Sequence, residues 1–278
     1  MRLIALVLLA ACPGSGGQFA AVDTPRVVRD LAMVSIPAGS VMMGSDLRDD
    51  SDYPGRDKLT LFYEQPFHQV ALDAFRISAC EVTQAQYMAV MDSSNPSEFK
   101  GGGRLPVERV LWYEAAAFCN RLSRIAGLEP CYSLQTWECD FSRSGFRLPT
   151  EAEWMYAACA GSATDFHTGP GEGDLARAGW YSKNSGQHPH PVGLKEPNAW
   201  GLYDVHGNLW EWCNDWFGER YYRDSPVTSP AGPAGGTVRV VRGGGWLSDA
   251  FYCRSNCRAY SSPGVRRPDI GFRVVCRP

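Results

Sequence analysis

The 278-residue chain carries 27 Lys and Arg against 30 Asp and Glu, a formal net charge of −3. With no basic block in that balance the electrostatic footprint of a nucleic-acid binder is missing, and no nucleic-acid partner is expected. Past the first dozen residues no stretch is long and apolar enough to cross a membrane as a helix.

The chain opens MRLIALVLLAAC. Arg2 is a minimal basic start, and the nine residues Leu3 to Ala11 are apolar. Such a run is too short to span a bilayer and reads as a processed export signal. Its end, Leu9-Ala10-Ala11-Cys12, resembles a bacterial lipoprotein box, which implies that Cys12 becomes the lipidated first residue of the mature protein. A cysteine lying inside an ordinary signal peptide is the alternative. Residues 13–30, with Pro, Gly and small polar side chains, read as a tether. The expected location is therefore extracytoplasmic, with the membrane as partner through the lipid. Ten cysteines fit that compartment, because disulfides persist outside the cytosol. Setting Cys12 aside leaves an odd number, so one chain cannot pair them all. Cys131 and Cys139 flank a short polar segment and are candidates for a local disulfide.

Residues 31–278 read as one domain. Met33 to Gly39 is a strand running into a turn, Ser45 to Lys58 an acidic loop, and His68 to Ile77 an alternating strand. Thr83-Gln84-Ala85-Gln86 has the capping-box pattern and should start a helix reaching about Val90. Trp112 to Arg124 has helical spacing and should stop at Gly127. Thr150-Glu151-Ala152-Glu153 is a second capping box, leading a helix through Trp154 and Ala158. After Gly161 the chain is rich in Gly, Pro, Asn and Trp. That composition needs a small strand frame, many turns and aromatic plugs such as Trp210, Trp212, Trp216 and Tyr222. Two short apolar pieces, Val238 to Val241 and Phe272 to Val275, read as strands enclosing a segment crowded with ligand-capable side chains.

Gly145-Phe-Arg-Leu-Pro-Thr-Glu-Ala-Glu-Trp154, Asn198-Ala-Trp-Gly-Leu-Tyr-Asp-Val-His-Gly-Asn-Leu-Trp-Glu-Trp212, Arg242-Gly-Gly-Gly-Trp246 and Ile270-Gly-Phe-Arg-Val274 are ordered motifs. Together with Met33 to Gly44 and Glu81-Val-Thr-Gln-Ala-Gln-Tyr87, they resemble the formylglycine-generating enzyme, or sulfatase-modifying-factor, family over about residues 30–277. The resemblance implies an α+β fold, an irregular C-type lectin-like variant with little regular secondary structure. Fold membership does not fix function. The founding enzymes oxidise a sulfatase cysteine to formylglycine with oxygen and a copper ion held by two cysteines; other relatives form sulfur–carbon bonds with iron or bind ligands without known catalysis.

Counted forward from the glycines, the family's first copper cysteine falls on Ser248 and its second on Cys253; counted backward from Arg258 and Pro263, Cys253 matches neither ligand, and either way at least one is lost. Serine does not replace a thiolate at a Cu(I) site. Cys253 is thus the one catalytic candidate, with copper its cofactor only under the enzyme reading; a buried structural cysteine is the alternative. The three-histidine iron set finds no match, and His188-Pro-His190 is the only close histidine pair. Calcium is expected in the turn Asp204 to Glu211. There the resemblance implies carboxylates from Asp204 and Glu211 and carbonyls from Gly207 and Leu209. Arg147 and Arg273 are expected to cross-link carbonyls or a buried carboxylate, and Glu153 to act in its capping box.

Between the strand pieces lie Leu247, Ser248, Asp249, Phe251, Tyr252, Asn256, Tyr260, Arg266 and Arg267. Tyrosine mixed with small polar residues is the composition of a paratope-like surface. Ligand-binding members of this fold, including variable proteins diversified by retroelements, resemble it: an Arg-Gly-Gly start, a Gly-Phe-Arg finish and exchangeable residues between. The expected function is recognition of a protein or glycan through residues 247–267, with a formylglycine-generating-type or related modifying enzyme as the alternative.

Overall fold

Residues 24–45 and 58–278 are described by the computed structural model. Cys12, the export signal and the first part of the tether lie outside the described residues. The last residues read as tether form a helix instead, α1 (Thr24–Asp30). Val27 and Val28 pack on the main core and Leu31 enters it, so apolar burial has recruited this stretch into the domain.

The elements that follow are β1 (Met33–Ile36), β2 (Gly39–Met43), α2 (Lys58–Tyr63), β3 (His68–Leu72), β4 (Phe75–Ser78), α3 (Gln84–Met91), α4 (Trp112–Ile125) and α5 (Glu151–Cys159). After them come α6 (Glu172–Ala178), β5 (Trp210–Trp216), α7 (Tyr221–Asp224), β6 (Arg239–Arg242), β7 (Ala259–Ser261), β8 (Ile270–Gly271) and β9 (Val275–Cys276). This is an α+β fold. One sheet has the order β1-β4-β9, β2 pairs with β3, and a four-stranded sheet runs β7-β6-β5-β8.

Both predicted capping boxes are formed. Thr83 Oγ1 accepts from Gln86 N and Gln86 Oε1 accepts from Thr83 N. Thr150 Oγ1 accepts from Glu153 N at 3.1 Å, while Glu153 Oε2 accepts from Thr150 N at 2.8 Å. Each box satisfies amides that the helix itself leaves without partners. Helix α4 buries Trp112, Ala115, Phe118, Cys119 and Leu122, a face at helical spacing. It closes before Gly127, which takes the left-handed φ of +71°.

The C-terminal motif departs from its sequence reading. Phe272 to Val275 is not one strand. Ile270–Gly271 pairs in parallel with β5, while Val275–Cys276 pairs with β4 in a different sheet. Phe272, Arg273 and Val274 cross between the sheets. Phe272 is buried against Phe118 and Tyr87, and Arg273 points into the polar seam described below. Packing on both sides, rather than alternation along one sheet, holds this segment.

Candidate ligand-binding surface

The segment after β6 is anchored by buried arginines. Arg242, at the end of β6, donates from Nη1 to the Cys257 carbonyl at 2.6 Å and from Nη2 to the Ser255 carbonyl at 2.7 Å. Arg254 reaches Glu64 with Nη2–Oε1 at 2.7 Å. Arg258 makes a two-pronged pair with Glu151, 2.7 Å from Nε and 2.9 Å from Nη2, and donates to the Tyr63 carbonyl. The planar guanidinium suits this work, because it can bridge a carboxylate and a carbonyl at once. Burial alone would raise the Glu151 carboxyl, but Arg258 and Arg242 beside it hold it below the usual range. The backbone from 254 to 258 is thereby fixed from beneath by groups on α2, α5 and β6.

Upon this frame the predicted surface residues divide. Leu247, Asp249, Tyr260, Arg266 and Arg267 are exposed; Ser248, Tyr252 and Asn256 are half-buried; Phe251 is wholly buried. Phe251 therefore supports the surface from below, with the Arg254 guanidinium 4.2 Å from its ring centre. The exposed residues rest on different supports. Ser182 N–H donates to the Ser248 carbonyl, and Ser182 Oγ donates to Asp249. Tyr260 lies 4.6 Å from Phe217, ring centre to ring centre. Arg266 pairs with Glu114 on α4, and Arg267 with Asp269.

The cysteine chemistry expected of a founding-type enzyme does not fit this arrangement. Ser248 Oγ accepts from Gly245 N at 3.0 Å, while Ser248 N–H donates to the Gly245 carbonyl at 2.8 Å, so this serine closes a tight turn. Cys253 is wholly buried among Phe166, Leu175 and Tyr181. Burial pushes its thiol well up, with Cys257 adding to the shift. A thiol held neutral and out of solvent is a poor metal ligand and a poor nucleophile. The copper expectation is corrected accordingly.

The calcium expectation is also corrected. Among the described residues no group of three or more His, Cys, Asp or Glu side chains is placed to hold a metal ion. Glu211 already has its counter-charge: Arg273 donates to both its oxygens at 2.6 and 2.7 Å, and Trp154 Nε1 donates to Oε2 at 2.7 Å. Asp204 accepts from Gly193 N at 2.7 Å, and burial pushes its carboxyl up to about 6. Leu209 presents its amide to Glu81 Oε1 at 3.1 Å, and Gly207 N–H donates to the Gly243 carbonyl at 2.7 Å. The turn is cross-linked by protein groups, with the Arg273 cation at its centre.

His206, two residues beyond Asp204, carries a role that sequence reasoning missed. It is wholly buried, its Nδ1 faces the Cys253 carbonyl at 2.8 Å, and its Nε2 accepts from His167 N at 3.1 Å. Nδ1 must therefore carry the proton, and the ring is neutral. Burial, with His167 beside it, lowers its pKa to about 3. His190 stacks on Trp180 at 3.7 Å and leans on His188 at 4.5 Å, so that histidine pair is spent on packing. All nine cysteines among the described residues are free thiols; Cys131 and Cys139 are hydrogen-bonded rather than joined. Arg147 and Arg273 each take the carboxylate partner expected from sequence. Arg147 pairs with Glu153, and Arg273 with Glu211.

The model of the sulfatase-modifying factor enzyme 1-like domain matches residues 18–278. The chain belongs to this family. Among curated relatives, chaperone protein LppX of Paenibacillus barcinonensis is 35% identical over 245 residues, 74% of this chain and 81% of that protein. The formylglycine-generating enzyme of Streptomyces coelicolor is 34% identical over 196 residues, 64% of this chain and 55% of the enzyme. Among solved structures, Treponema denticola variable protein 1 superposes with a TM-score of 0.78 at 39% identity. That match covers 88% of this chain and 95% of the variable protein.

Proposed function

We propose that this member of the family is an extracytoplasmic recognition protein, tethered through Cys12, that binds a protein or glycan through the exposed residues of 247–267. The observation that carries the reading is the pairing of a buried, neutral Cys253 with exposed Leu247, Asp249 and Tyr260 on a backbone fixed by Arg242, Arg254 and Arg258. A fixed backbone lets exposed side chains change without disturbing the core, the arrangement that recognition surfaces use. The 39% identity to a protein described as variable supports the same reading.

The enzymatic alternative is tested by incubating the purified protein with a sulfatase-type cysteine peptide, copper and oxygen. The recognition reading expects no aldehyde product above a no-protein control. Aldehyde formation that disappears in Cys253→Ala would sink it.

A further inference from the structure

A large cavity lies away from residues 247–267. It measures about 830 Å³ and is walled by the 131–143 hairpin, the outer end of β5 and the glycine-rich stretch 231–236, with Arg239 among its lining residues. Six arginines among the described residues are buried, and five of them have a carboxylate: Arg147, Arg242, Arg254, Arg258 and Arg273. Arg239 has none among the described residues. It is 5% exposed, its one hydrogen bond runs from Nη1 to the Asn214 carbonyl, and its Nε has no partner. Its guanidinium is held instead between two indoles, 3.7 Å from the Trp112 ring centre and 3.4 Å from that of Trp216. Stacking orients the group but supplies no counter-charge. Burial lowers its pKa to about 10, so it remains a cation at neutral pH.

Asp215 acts on Arg239 only through space and forms no ion pair with it; a buried cation without an ion-pair partner is costly, and a site that keeps one is suited to a ligand that brings the anion. Trp137 lines the cavity at a φ of +62°, a left-handed backbone that a bulky residue rarely takes. Gly235 and Gly236 line it with bare backbone, and a Cβ on Gly236 would press on the Trp216 side chain at 3.1 Å. The acids at the rim are engaged by neighbours. Glu138 accepts from the Thr136 hydroxyl, and Asp140 pairs with Arg143.

We propose that this cavity binds a small ligand carrying a carboxylate on a six-membered ring, with the carboxylate on Arg239 and a face of the ring against Trp137 and Trp216. Such a carboxylate can come from an aromatic acid or from an acidic sugar, and the cavity's charge does not distinguish them. The site is independent of the 247–267 surface, so either can fail without the other.

The test is calorimetric titration of the purified protein with benzoate and with methyl β-glucuronide, each beside its uncharged counterpart, benzamide or methyl β-glucoside. At least one acid should bind saturably, about tenfold or more tighter than its neutral counterpart. Arg239→Gln should abolish that preference. Trp137→Ala, which also gives up the ring contact with Tyr113, should weaken acid binding about fivefold while the protein stays folded. It keeps the test decisive if Arg239→Gln does not fold. Which acid binds names the source. No saturable binding of either acid below about 10 mM, equal binding of acids and neutral counterparts, or unchanged acid binding in both variants would each overturn the proposal.

Discussion

Arg273 and Glu211, one in the Gly-Phe-Arg motif and the other at the start of β5, form a wholly buried two-pronged ion pair at 2.6 and 2.7 Å. Arg273 also donates to the Ser78, Ala79 and Tyr203 carbonyls, so this one guanidinium ties β4, β5 and the C-terminal crossing together. Removing one partner strands the other charge. Arg273→Met should lower the unfolding free energy by about 3–5 kcal/mol. Urea denaturation checks this, and a loss under about 1 kcal/mol would show that the seam relaxes around the vacancy. Glu211→Gln should cost a similar amount, because it leaves the Arg273 cation buried without a counter-charge and turns an amide N–H toward its guanidinium.

Acid stability should report His206. Its folded-state pKa of about 3 lies below the ordinary histidine value, so the unfolded chain binds the proton more readily. The stability held by the neutral ring is complete above about pH 6.5 and is lost as pH falls from there toward 3. The contribution to the slope is about 1.4 kcal/mol per pH unit within that window. His206→Gln should be less stable than the parent at pH 7 yet show a flatter decline on acidification. Thermal melts from pH 7 to 4 measure this, and parallel profiles would rule the histidine out as the titrating group.

Gly244 should tolerate no side chain. It sits at a φ of +75°, and a Cβ there would lie 2.5 Å from Cys253 Sγ. Gly244→Ala should destabilise the fold by about 2 kcal/mol or more, combining backbone strain with overpacking. Adding Cys253→Ala should recover part of that loss, since the smaller side chain leaves room. A double variant no better than Gly244→Ala would assign the penalty to the left-handed backbone and to the Cys253 Cα and Tyr252 carbonyl, 3.0 and 3.1 Å from the new Cβ, rather than to the thiol.

Sequencing this locus across one cell population should find substitutions gathered at codons for exposed residues of 247–267. Codons for Arg242, Phe251, Arg254, Arg258 and Arg273, all buried, should stay unchanged. Substitutions spread evenly across the gene, or none in this window, would contradict diversification.

Local signals were legible in the sequence. The capping residues Thr83 and Thr150 act within a few residues of one another, and the spacing in α4 states its buried face directly. Long-range partners were not. Arg254 finds Glu64 across 190 residues and Arg258 finds Glu151 across 107, separations that no periodic pattern encodes. Phe251 looked like a surface residue because an irregular loop has no period from which to read facing. Asp204 and Glu211 have the oxygen chemistry of calcium ligands. Only the position of Arg273, distant in sequence, shows that Glu211 is already occupied. Arg239 drew attention only as part of a strand, although its unpaired burial is the signal that marks the cavity.

The central claim is that the exposed residues of 247–267 recognise a partner while the frame beneath them carries the fold. Glycan and peptide arrays probed with the parent protein and with the Leu247→Ala, Asn256→Ala, Tyr260→Ala triple variant test it most directly. The account predicts a defined set of bound spots for the parent, a loss of at least about tenfold in the variant, and an unchanged melting temperature. A parent that binds no spot, or a folded variant that binds the same spots equally well, would contradict it.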